Sequence, residues 1–65
     1  MYKLMREEPG YCRVYYRNRN GIYCLQNDGG YGQADITFYR CSQDGEPSYP
    51  IDMPDETDFD QYIAP

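Results

Sequence analysis

The chain has 65 residues, with eleven acidic against six basic side chains, no histidine and a formal net charge of -5. That length holds one domain, spanning 1–65, and a domain so small buries only roughly 60% of the surface its unfolded chain exposes. An acidic surface repels nucleic-acid and membrane phosphates, so direct binding of DNA, RNA or anionic lipid is disfavoured and a cationic protein partner is favoured.

Taken in chain order, the front two-thirds reads as strands. "YKLMRE" is a first short strand, stopped by "EPG" at residues 8 to 10. "YCRVYYRN" alternates with the period of a half-buried strand: Cys12, Val14 and Tyr16 face one way, and Tyr11, Arg13, Tyr15 and Arg17 the other. "NRNG" at 18 to 21 is a turn that returns the chain into "IYCLQ". Two registers are open at this turn. A three-residue loop, favoured by Asn18 at its start and Gly21 at its end, opposes Tyr16 to Cys24 and puts Ile22 and Cys24 on the shared face. A two-residue loop puts Tyr23 and Leu25 there instead, because one residue of slip flips the whole strand.

"NDGGYG" at 27 to 32 is a second, glycine-rich turn, and "ADITFYRC" at 34 to 41 is a further strand with Ala34, Ile36 and Phe38 as its core face. "SQDGEPSYP" reads as a polar loop. The segment after it reads as a short helix capped by Asp52, with Pro54, Asp55 and Glu56 in the first turn, Phe59 and Ile63 docking it, and Asp58 and Asp60 pointing outward. The expected fold is therefore α+β: an antiparallel sheet of three or four strands over residues 1–41, then an acidic loop and short C-terminal helix over 42–65.

Charge divides along the same line. Residues 1 to 40 carry six bases and four acids, whereas residues 41 to 65 carry seven acids and no base. Asp44, Glu46, Asp52, Asp55, Glu56, Asp58 and Asp60 form that acidic part, with Tyr49 among them as a candidate anchor for a partner. Phe59, Tyr62 and Ile63 give the segment its own apolar anchors, which predicts ordered carboxylates rather than a loose tail. The bland alternative is a solvated face with helix capping. Ordered carboxylates can also imitate a nucleic-acid backbone, which presents about one charge per 1.7 Å of duplex axis and is bound largely through Lys and Arg.

The tyrosines and arginines of "YCRVYYRNR" point to base stacking or interface anchoring in another context. Here the net charge favours arginines that pair with the acidic segment. Cys12, Cys24 and Cys41 are odd in number and spaced by 12 and 17, without the close ligand pairs of a zinc site, so they read as packed thiols. Ser42 and Ser48 have no histidine as a base. "DETDFD" lacks the glycine and spacing of a calcium loop, and Asp52 with Asp55 or Glu56 offers at most weak binding of a hard cation. A non-enzymatic protein without a cofactor is expected. No apolar run spans a membrane and "MYKLMREEPG" lacks the core of a signal peptide, which makes the cytoplasm the expected location.

In size, acidity, tyrosine content and lack of a catalytic constellation, the chain resembles the small phage-encoded anti-CRISPR proteins, in particular those that act as DNA mimics. The resemblance covers the whole chain in composition and includes no diagnostic motif. It implies stoichiometric inhibition of a CRISPR effector, such as a type I surveillance complex of the I-C kind, by an acidic face placed in the groove where DNA enters; a monomer is expected. The net-basic front half departs from such mimicry. A module for another basic DNA-binding protein (a transcription factor, restriction enzyme or toxin) and a small metal-dependent enzyme are the other classes in view.

Overall fold

The computed structural model describes residues 1–30 and 34–60. Five strands, β1 Lys3–Glu8, β2 Arg13–Asn18, β3 Gly21–Asn27, β4 Ile36–Cys41 and β5 Pro47–Ile51, form one antiparallel sheet in the order β1-β2-β3-β4-β5. Two single turns of 3-10 helix, Pro9–Tyr11 and Glu56–Asp58, are the only helical pieces among the described residues. The protein is all-β. The expected α+β fold, its smaller sheet and its C-terminal helix are overturned.

The reasons are local. All of β5 but Ile51 lies in the stretch expected to be a polar loop, and Pro47 and Pro50 are what disguise it. Proline is tolerated in a strand at the edge of a sheet, where a missing N–H breaks no ladder, and β5 is an edge strand. The expected helix fails on charge and length. Helical winding would align Asp52, Glu56 and Asp60 at i,i+4, where like charges repel, and helices this short are marginal in water. An extended path lets Met53 and Phe59 pack on the sheet instead. The expected anchor Ile63, with Tyr62, lies outside the described residues.

Asn18 pairs with Gly21 and Tyr16 with Tyr23, so the β2–β3 loop is Arg19–Asn20. This is the two-residue register, and the favoured three-residue loop is corrected. Its effect is to gather Val14, Tyr16, Tyr23, Leu25 and Phe38 on one face. Each aromatic side chain buries on the order of 150–250 Å², so this face outweighs one built from Ile22 and Cys24. Locally, Asn18 Oδ1 accepts the Asn20 N–H at 2.8 Å, and Gly21 takes φ +149°.

Phe59 closes this first face. It stacks on Tyr2 at 5.0 Å and meets Tyr16 edge-on at 4.6 Å, while Tyr23 and Phe38 stack at 5.3 Å. Tyr2 and Phe59 also form a parallel bridge, through Tyr2 N–H to Asp58 O at 2.6 Å and Asp60 N–H to Tyr2 O at 2.9 Å. The C-terminal segment thereby covers the start of the β1 edge.

The opposite face holds Tyr15, Cys24 and Cys41, flanked by Ile22 and Tyr39. Arg6 lies 3.6 Å above the Tyr15 ring and donates from Nη2 to Gly45 O at 3.3 Å, tying β1 to the β4–β5 loop across that face. Cys24 and Cys41 are packed thiols, as expected of them. Cys12 is not: it is exposed in the left-handed region at φ 54°, ending the first 3-10 turn. Ala34 is likewise exposed rather than part of the core.

Candidate functional site

All eight residues expected at the site are exposed: Asp44, Glu46, Tyr49, Asp52, Asp55, Glu56, Asp58 and Asp60. The fold divides the acids into two groups. Asp44 and Glu46 sit in the β4–β5 loop, which Ser42 N–H to Glu46 O at 2.8 Å and Gly45 N–H to Ser42 O at 2.9 Å hold shut. Asp52, Asp55, Glu56, Asp58 and Asp60 follow β5. A strand of this length sets the groups roughly 20 Å apart, at 3.2–3.4 Å per residue. That is beyond the Debye length of about 8 Å at physiological ionic strength. Tyr49 lies between them on β5, opposite Arg40.

Within the second group the carboxylates do different work. Asp55 caps the 3-10 turn, accepting from Thr57 N–H at 3.0 Å and from Thr57 Oγ1 at 3.1 Å. The Thr57 backbone bond, then the hydroxyl, hold its carboxyl below the usual range. The expected cap, Asp52, has no such role, because no helix begins there. Asp60 Oδ1 accepts the Leu4 N–H at 2.8 Å, so Asp60 is turned back onto β1 and the expectation that it points outward is corrected. The carboxylates of Asp44, Glu46, Asp52, Glu56 and Asp58 have no hydrogen-bond or ion-pair partner among the described residues.

The arginines of β2 make no ion pair with this segment among the described residues. Arg13 Nε donates to Gln26 Oε1 at 2.9 Å, and its guanidinium lies over Tyr11 at 5.1 Å. The ion pair among the described residues is Arg6–Glu8 at 3.2 Å. Glu8 is held below the usual carboxylate range, first by the Tyr15 hydroxyl and then by Arg6. The Tyr15 hydroxyl is buried and falls short of hydrogen-bond geometry with any partner, and burial pushes its pKa up to about 12. Burial, then the neighbouring Cys41, pushes the Cys24 thiol up to about 11. No group of three metal-ligating side chains comes together among the described residues, and no described helix is long and apolar enough to cross a membrane.

One feature of the surface had no signal in the sequence. Arg40 stands in β4 like any strand arginine, yet its guanidinium is fixed over the β2–β3 turn, and only the register of β3 against β4 brings the two together. Comparison with protein-family models, curated proteins and solved structures returns no match.

Proposed function

We propose that the chain is an inhibitor that binds through its carboxylates in the basic, DNA-accepting groove of a partner protein, acting as an anti-CRISPR protein of the DNA-mimic kind on a type I surveillance complex. The observation that carries this is the set of five carboxylates, Asp44, Glu46, Asp52, Glu56 and Asp58, exposed on segments anchored to the sheet and without a cationic partner among the described residues. Carboxylates held in place lose little freedom on meeting arginine, and the paired geometry is favourable. The reading needs neither cofactor nor catalysis, and it places the protein in the host cytoplasm, where its free thiols stay reduced.

The division of the acids into two groups favours a second form of the same chemistry. Two basic patches on another DNA-binding protein, a restriction enzyme or transcription factor, suit two separated acidic groups equally well. One competition experiment separates the readings. Purified chain is added to a type I surveillance complex, and to other DNA-binding proteins of the same host, before labelled target duplex. Loss of duplex binding at near-stoichiometric inhibitor, confined to the surveillance complex, supports the first reading. Loss confined to another protein supports the second. Undiminished duplex binding throughout, at low salt, removes both.

A further inference from the structure

At the β2–β3 turn the sheet holds one guanidinium on neutral groups. Arg40 Nη1 donates to Tyr23 Oη at 2.5 Å and Nη2 to Asn20 O at 2.6 Å, while the guanidinium lies 4.9 Å from the Tyr23 ring centroid. Gly21 makes room for it: a Cβ there would fall 2.6 Å from Nη2 and 2.8 Å from Cζ. The cation is therefore seated on neutral groups, and no carboxylate among the described residues lies within 4.0 Å of it.

Beside it is an open groove of about 350 Å³, lined by Asn20, Gly21, Ile22, Arg40, Cys41, Ser42 and Gln43. Three further cations surround this end. Arg17 is the cross-strand partner of Ile22 in the groove wall, Lys3 is the cross-strand partner of Arg17, and Arg19 is in the turn. All three are exposed, and none has a carboxylate within 4.0 Å among the described residues. Like charges directly opposed across two strands destabilise a sheet, and Lys3 and Arg17 stand on the Tyr15 and Ile22 face, opposite the Tyr23 face that carries Arg40. Asp44 follows Gln43 in the loop but is not part of the lining.

We infer that this groove is an oxyanion site, seated on Arg40, that takes a phosphate group. Guanidinium offers five N–H donors in a planar fork, of which two are used internally, and the fork matches the oxygens of phosphate. Ser42 and Gln43 supply neutral donors along the wall, and Arg19 in the adjoining turn adds an exposed positive charge. The chain as a whole is acidic, so attraction is confined to this end and weakens as salt is added. The phosphate belongs either to a nucleic-acid backbone or to a small phosphorylated molecule.

The test titrates the full-length, isotope-labelled chain with sodium phosphate at constant ionic strength. It follows the amides of Asn20 to Ile22 and Cys41 to Gln43 and the Arg40 Nε–H, with a short single-stranded RNA in a parallel arm. Saturable shifts confined to these signals are expected. Tighter response to the RNA than to phosphate assigns a nucleic-acid backbone as the source, and response to phosphate alone assigns a small molecule. Arg40→Lys keeps the charge and loses the fork, and is expected to weaken binding by about tenfold or more, as loss of a charge-assisted bond does. Gln43→Glu puts a negative charge at the exposed rim without touching the seat of Arg40, and is expected to abolish the response even if Arg40→Lys does not fold. Shifts that fail to saturate in either arm, or an unchanged response in Gln43→Glu, overturn the assignment.

Discussion

Asp58 and Asp60 are two positions apart and both exposed, but the fold uses only one of their side chains. Asp60 Oδ1 accepts the Leu4 N–H, whereas the Asp58 carboxylate has no hydrogen-bond partner among the described residues. Asp60→Ala is therefore expected to lower stability by about 1 kcal/mol, the usual net worth of an intramolecular hydrogen bond. Asp58→Asn and Glu56→Gln are expected to leave stability within about 0.5 kcal/mol, as surface changes do. Urea unfolding of the three variants checks this. The pair Glu56→Gln with Asp58→Asn is then the clean probe of partner binding, since its effect on affinity does not pass through the fold.

Residues on the other face set a pH dependence of opposite kind. The Cys24 thiol rises from 9.0 to about 11 in the folded chain, and the Tyr15 hydroxyl from 10.0 to about 12. Between the unfolded and folded values the folded chain binds more protons than the unfolded one. Stability contributed by these groups is then complete below pH 9 and is lost as pH rises toward 11 and 12. Urea midpoints measured from pH 8 to pH 11 are expected to fall, and Cys24→Ala to make the decline shallower from its own lower starting point. A flat profile in the parent would show that neither group is desolvated.

At the scale of elements, the segment from Asp52 to Asp60 works as a strap rather than a helix. Phe59 is its fastening, in contact with Tyr2, Tyr16 and Phe38. Phe59→Ala is expected to cost about 3–5 kcal/mol, the range for a buried aromatic cut to alanine, which for so small a domain is much of its stability. Loss of cooperative thermal unfolding is the readout. A variant that melts like the parent would show that the strap does not close the first face.

The same elements show how far the sequence could be read. β2 was legible from the alternation over Arg13 to Asn18, although the same pattern carried the strand too far over Tyr11 and Cys12, which belong to the 3-10 turn and its cap, and β4 was legible because Ile36 and Phe38 repeat at the strand period. β5 was hidden because its prolines are informative only once the strand is known to be an edge. The strap was misread because a capping residue followed by apolar positions four apart is a local pattern, while its outcome depends on a nonlocal aromatic surface. The acids were legible as a group from composition. Their division by β5, and the use of Asp55 and Asp60 within the backbone, depend on topology.

For the whole molecule, the distribution of charge sets two effects of salt with opposite signs. In the free chain, unpaired acids follow β5, and Lys3 and Arg17 oppose each other across β1 and β2. Both arrangements are repulsive, and the partnered Arg6–Glu8 is a single exposed pair of small worth. Salt screens repulsion between exposed charges over distances beyond about 10 Å at 0.1 M. Raising sodium chloride from 0.02 to 0.2 M is therefore expected to stabilise the free protein slightly, by less than about 1 kcal/mol. The same change is expected to weaken the complex with a basic partner, chiefly through slower association as steering is lost. Thermal unfolding of the free chain and association rates with the DNA-binding protein it inhibits, taken across one salt series, read both effects. If the complex tightens with salt instead, its contacts are apolar and the carboxylates are not what the partner recognises. If the free chain loses stability as salt is added, attraction rather than repulsion governs its surface, and the acids are engaged at home.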